Sequence, residues 1–346
     1  MTKLQSQPYD FDQLVAQARE EYPEETKDIT FVNLATQEGR DTLQQWIRDA
    51  SPEARSIYLG DTPLIELDAE TLSKQFCAKG CAAKKDFVTG KSILVMNPQN
   101  NSSLLTANDP TAFPSFAFYH ELGHLIVPGG TSRKDPKKMS HYVFQELENR
   151  EECLADTFAC LHALRNGFFD IDDIKALALS RALDNIDHLT TYTVDHLAEK
   201  ALQENLSSLT PQQIKQYATQ HVAGFQIDGY HLEKIADAFN AASGYTHRIL
   251  SYDIEHGRID IPVQGIKATP IYWGVYLNGI INAVESQEYG RQFNYIAGKI
   301  LHAAVSTGAI DYLTHVELDK ASPRWGCIEK FVQKHPELKF LQPPRL

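Results

Sequence analysis

The stretch FAFYHELGHLI, residues 116–126, limits this chain more than any other. Phe116, Phe118, Tyr119, Leu122, Leu125 and Ile126 make it apolar on most sides. A helix that is apolar all round is a buried one. Into that helix the sequence sets two histidines and a glutamate, and buried polar groups need partners. Residues i and i+4 share one helix face, so the imidazoles of His120 and His124 converge on one point. Neutral imidazole is a common zinc ligand, and one metal ion satisfies both rings. Glu121 is next to His120, beside such a metal rather than on it, where it could take a proton from an acidified water and pass it to a leaving amine. The spacing therefore points to zinc and to metal-assisted hydrolysis of an amide. The competing reading is an ordinary helix with two polar histidines and an exposed glutamate.

A zinc with two histidines needs a third protein ligand and an open position. The next long helical pattern, from Val143 to Asn166 with Gly167 as its stop, contains Glu152 and Asp156 one turn apart. Glu152 suits the third ligand, with Glu148 on the same face as reserve. Asp156 borders an apolar run and is placed to accept a hydrogen bond from a ligand imidazole, His120, which fixes its tautomer. The competing reading is a solvated acidic face formed by Glu146, Glu148, Glu151 and Glu152.

His120-Glu121-Leu122-Gly123-His124, followed by Glu152-x-x-Ala155-Asp156-x-Phe158-Ala159, resembles the gluzincin pattern. Within it, the sequence is most similar to the ImmA/IrrE-type metallopeptidases, with Asn97, Phe116 and Phe118 matching the lead into the motif. Asp156 departs from that family's usual Asn. The resemblance covers residues 87 to 165. It implies a zincin-like core in which Glu121 is the general base, His120, His124 and Glu152 bind zinc, and Asp156 supports a ligand. It also implies one or few protein targets, such as a regulator. A metzincin would need a third histidine at position 130, where this chain has Gly130.

The composition agrees with an ordinary globular protein: 346 residues, 42% hydrophobic and 23% charged. Net charge is −12 with no basic stripe, which argues against nucleic acid or an anionic membrane as partner. No run approaches about 18 apolar residues. The N-terminal residues lack the apolar segment of a Sec signal peptide. These features point to a cytoplasmic protein, or one delivered into another cell by a dedicated secretion system. The five cysteines are an odd count that fits a reducing compartment. Cys77 and Cys81 read as half-buried residues on an Ala-rich helix, since two thiols make no closed zinc site.

The expected fold class is α+β. A small sheet with the HExxH helix and the third-ligand helix occupies residues 1–167, and a mostly helical lobe occupies 168–346. Helices are expected at 9–22, 41–50 with Asp41 as cap, and 68–85, and strands at 29–34 and 64–67. Phe87 to Asn97 reads as a hairpin turning at Gly90. Ile93 to Met96 could be either an edge strand that holds substrate or an internal strand. Beyond 167, helices are expected at 172–189, 194–206, 211–222, 231–242, 271–285, 291–306 and 323–334. A short β-arm around Ile259, Ile261 and Val263 would lie within a turn-rich segment, 251–267. Candidate donors to a tetrahedral oxyanion are His141, Tyr142, Tyr192, His196, Tyr230 and His231. Asp187-His188 and Asp195-His196 read as solvated pairs.

The expectation is a zinc endopeptidase acting on a protein or peptide. The alternatives are a binding module with a structural metal, and a zinc amidohydrolase for a small amide.

Overall fold

The computed structural model describes residues 10–59, 62–66, 68–97, 112–132, 138–182, 186–255 and 270–306. The fold is α+β: helices dominate, and the strands form one three-stranded and one two-stranded sheet. The order is α1 (Phe11–Glu21), α2 (Pro23–Thr26), β1 (Ile29–Asn33), α3 (Gln37–Asp49), β2 (Ser56–Leu59), β3 (Thr62–Glu66), α4 (Ala69–Lys79), β4 (Cys81–Lys85), β5 (Ser92–Met96), α5 (Phe113–Ile126) and α6 (His141–Asn166). Then follow α7 (Ile171–Ala182), α8 (Thr191–Gln203), α9 (Pro211–Phe225), α10 (Gly229–Glu255), α11 (Pro270–Ser286) and α12 (Gly290–Ser306). No helix among the described residues is long and apolar enough to cross a membrane.

The larger sheet has the order β1-β5-β4, with β1 parallel and β4 antiparallel to β5. Every residue of β5 is buried. A continuous apolar run such as Ser-Ile-Leu-Val-Met marks a strand covered on both faces. Leu94 and Met96 join a core with Phe118, Leu122 and Leu154 of α5 and α6. Ile93 and Val95 turn the other way, toward Leu43, Trp46 and Ile47 of α3 and Leu72 and Phe76 of α4. Ile93–Met96 is thus internal, and β4 takes the edge beside α5.

The segment expected as a helix over 68–85 is split. Asp68 caps α4 through the Thr71 N–H at 2.8 Å, the helix stops at Lys79, and Gly80, at φ 81°, turns the chain into β4. Cys81 therefore lies on a strand, not one helical turn from Cys77. The hairpin at Gly90 has Cys81–Lys85, not the residues after Phe87, as its first arm. Helix α3 begins four residues before Asp41, capped by Thr36 through the Gly39 N–H at 3.0 Å. Strand β2, which pairs with β3, had no counterpart in the sequence reading. Ser251 to Glu255 continue α10, while Ile259, Ile261, Val263 and the helix expected at 323–334 fall outside the described residues.

The chain divides into two compact units, 1–181 with 187–226, and 182–186 with 227–346. The division falls after Gln226, not at Gly167. Most of α7, with α8 and α9, belongs to the first unit because Leu177, Val194, Leu197, Ile214 and Val222 share one core with Phe116 and Phe158. In the second unit α10, α11 and α12 enclose Ile235, Ala238, Ile280, Phe293 and Ile296, with Phe239 and Phe293 edge-to-face at 5.6 Å.

Candidate metal centre

Helix α5 starts with Pro114 in its first turn, where no intrahelical donor is lost, and stops at Ile126. Glycine within this helix has a packing role. A Cβ on Gly123 would lie 3.0 Å from Ala155 Cα and 3.2 Å from the Phe158 ring. The bare glycine lets α5 and α6 approach closely, which sets Glu152 and Asp156 opposite the two histidines. Helix α6 is fixed at its ends by Ser140, whose hydroxyl accepts from the Val143 N–H, and by Gly167 in the left-handed conformation.

His120, His124 and Glu152 form one group whose ligating atoms all lie within 4.8 Å of one another. Glu152 Oε2 is 3.2 Å from His120 Nε2, and Oε1 is 3.6 Å from His124 Nε2. The two Nε2 atoms are 3.2 Å apart. Their outer nitrogens are each held by an acceptor. His120 Nδ1 donates to Asp156 Oδ1 at 2.8 Å, and His124 Nδ1 donates to the Gly130 carbonyl at 3.0 Å. An acceptor partner requires the proton on Nδ1 and leaves the Nε2 lone pair pointing inward. Glu152 Oε2 is buried with no hydrogen-bond donor of its own. Two imidazole Nε2 atoms and a carboxylate facing one point call for positive charge between them, from a proton or from a cation. Two imidazoles and a carboxylate are a ligand set for zinc.

The electrostatics agree. Burial works against charge on all three groups. The Asp156 hydrogen bond and the adjacent Glu152 carboxylate nevertheless carry His120 up to about 10, and Glu152 raises His124. Burial likewise opposes ionisation of Glu152, yet the imidazoles hold it well below the ordinary carboxylate range. The site thus draws positive charge, from protons or from a metal.

Behind His120, Asp156 is fully buried. Arg181 of α7 forks onto it, Nε to Oδ2 and Nη2 to Oδ1, both at 2.8 Å. The Thr190 hydroxyl donates to Oδ2 at 2.6 Å. Burial opposes ionisation, but Arg181 and then His120 keep the carboxyl well below its usual range. Behind His124, the Thr131 hydroxyl donates to the His124 carbonyl at 2.7 Å. Ser132, through both N–H and Oγ, holds buried Glu151.

Glu121 is buried beside this group without belonging to it, and Glu148 is also outside it. The Cys81 thiol, at the start of β4, lies near the Glu121 carboxylate. Burial, and then that carboxylate, push the thiol well above its usual range.

One residue near the centre was misread from sequence. His188, in a short 3-10 turn, places Nε2 3.5 Å from Glu152 Oε2 with its side chain 38% exposed. The sequence suggested a solvated side chain; instead it is partly buried against Glu152. Two of the residues considered as oxyanion donors have other partners: His196 binds Glu199 at 3.0 Å and stacks on Phe225, and His231 binds Asp228 at 2.6 Å. The signal for Arg181 and His188 was weak, because both reach the site from a connection 25 to 36 residues beyond Glu152 and Asp156.

Comparison with protein-family models, curated proteins and solved structures finds no match for this chain.

Proposed function

We propose that the chain is a zinc-dependent endopeptidase with a zincin-like core. One observation carries the reading: the ligating atoms of His120, His124 and Glu152 converge, while buried Glu121 acts on His124 from outside the ligand set. Zinc bound there supplies Lewis acidity toward a carbonyl oxygen and toward water. Glu121 takes a proton from the attacking water and returns it to the departing amine nitrogen. His188, across Glu152 and partly open to solvent, is the donor to the developing oxyanion.

The sheet edge supports a peptide substrate. In the hairpin, the Asp86 N–H donates to the Lys91 carbonyl and the Asn97 N–H to the Gly80 carbonyl. Antiparallel bonding alternates, so the backbone groups of Cys81, Ala83 and Lys85 face away from β5. No strand among the described residues pairs with that side. An extended chain added there would run past Cys81, and so past Glu121. The free thiols at Cys81, Cys153 and Cys160 fit the reducing compartment read from the sequence.

The test is Glu121→Gln. It keeps zinc and lowers cleavage of an unstructured peptide library, read as new termini by mass spectrometry, by roughly 10²–10⁴-fold. Undiminished cleavage by this variant would remove Glu121 from its role.

His188 also motivates a second reading, a structural metal closed by a fourth protein ligand. His188→Ala separates the two. On the enzyme reading zinc affinity holds and kcat falls; on the structural reading affinity itself falls.

A further inference from the structure

The Asp156 carboxylate has a full set of donors. His120 Nδ1 and Arg181 Nη2 use Oδ1, and Arg181 Nε and the Thr190 hydroxyl use Oδ2. Asp156 is fully buried, and Arg181 is 8% exposed. A lone buried carboxylate behind an imidazole can turn about its own side-chain bonds, and the ring it holds turns with it. A guanidinium fork fixes both carboxylate oxygens in one plane. Oδ1 is then held where it accepts from His120 Nδ1, and Nε2 is the nitrogen that faces His124 and Glu152.

We infer that Arg181 is a positioning residue for the metal centre: by clamping Asp156 it holds the His120 ring with Nδ1 on the carboxylate and Nε2 turned toward His124 and Glu152. The inference rests on the zinc-site reading above and extends it to a residue that touches neither metal nor substrate. It also makes α7 part of the centre, because the clamp comes from that helix.

The experiment measures zinc affinity by competition with a chromophoric chelator, and the melting temperature of the metal-free protein. It compares wild type with Arg181→Met, Arg181→Lys, Asp156→Asn, and the double variant Asp156→Asn with Arg181→Met. Arg181→Met is expected to weaken zinc about 10- to 100-fold, the range for loss of a group supporting a metal ligand. Arg181→Lys recovers part of that loss, because a single ammonium keeps the charge but not the fork. The double variant binds zinc more tightly than Arg181→Met alone, since the Asn carbonyl still accepts from His120 and no unpaired charge is left buried. A purely structural role would lower melting in Arg181→Met and leave the zinc affinity of the folded protein unchanged; that result overturns the inference. So does a double variant no better than Arg181→Met. If Arg181→Met does not fold, Arg181→Lys against wild type decides alone: weaker zinc binding supports the inference, and unchanged zinc affinity overturns it. A wild type that binds no zinc overturns the metal reading as well, whereas normal wild-type binding with the wrong order of variants overturns this inference alone.

Discussion

Gly130→Ala should damage the metal site from the far side of His124. A Cβ on Gly130 would lie 2.5 Å from the Gly123 carbonyl oxygen, 2.9 Å from the His124 carbonyl oxygen and 3.1 Å from His124 Cα. These are backbone atoms of the last turn of α5, so no rotamer change relieves the contact. Carbon-to-oxygen approaches normally stop at about 3.3 Å. The loop must therefore withdraw by roughly 0.8 Å on that limit. The Gly130 carbonyl, 3.0 Å from His124 Nδ1, moves with it. At roughly 3.8 Å the hydrogen bond is gone. An Nδ1–H left without its acceptor costs about 1–3 kcal/mol. Losing the group that orients a metal ligand weakens zinc by about 10- to 100-fold. Gly129→Ala is the matched control. Gly129 sits at φ 84°, so alanine is strained there, yet its Cβ meets only Leu154 Cδ1 at 3.5 Å. That variant loses about 1–2 kcal/mol of stability and keeps its zinc affinity. Chelator competition and thermal melts on both variants decide the matter. Wild-type zinc affinity in Gly130→Ala, or equal losses of affinity in both variants, would refute the reasoning.

Two further outcomes follow from groups away from the ligands. His162 is fully buried and stacks on Tyr119 at 4.2 Å. The Tyr22 hydroxyl donates to the Pro211 carbonyl at 3.0 Å and accepts from His162 Nε2 at 2.7 Å. Burial, and then Arg165, push His162 down to about 3. The unfolded chain takes up this proton near pH 6.5, while the folded chain resists it until about pH 3. Stability from this group is therefore complete above about pH 6.5 and is lost as pH falls through that window, by about 1.4 kcal/mol per pH unit at most. Urea unfolding at pH 7 and pH 5 should show a loss in wild type larger by about 1–2 kcal/mol than in His162→Gln; parallel losses would contradict it. Ala83→Pro probes the sheet edge. Its N–H faces away from β5, so proline is tolerated there as it is only on edges. Zinc content and fold should hold while KM for a cleaved peptide rises about 2- to 10-fold, one backbone hydrogen bond's worth; an unchanged KM would take β4 out of substrate binding.

How much was legible in the sequence depended on whether the information was local. His120, Glu121 and His124 share one turn, and Glu152 and Asp156 share another, so helical spacing alone set their faces. The order of most of the longer helices was readable for the same reason, whereas the sequence left β5 open between an edge strand and an internal one. Strand β4 was not readable. Cys81-Ala82-Ala83-Lys84-Lys85 has little intrinsic β preference and reads as a continuation of α4. Pairing with Ser92–Met96 overrides that preference, and the only local trace is Gly80. Gly130 entered the sequence reading as the position that lacks a metzincin's third histidine; its close approach to Gly123 is a tertiary fact. Arg181, His188 and Thr190 meet α6 only because α7 and α8 fold back on it, and no local spacing reports that.

Metal content of the purified protein, measured beside Glu152→Ala by elemental analysis, tests the central claim most directly. The account predicts close to one zinc per chain in wild type after zinc is added back and dialysed, and loss or strong weakening of it in Glu152→Ala with the fold intact by circular dichroism. No zinc in wild type, or equal zinc in both proteins, would contradict it.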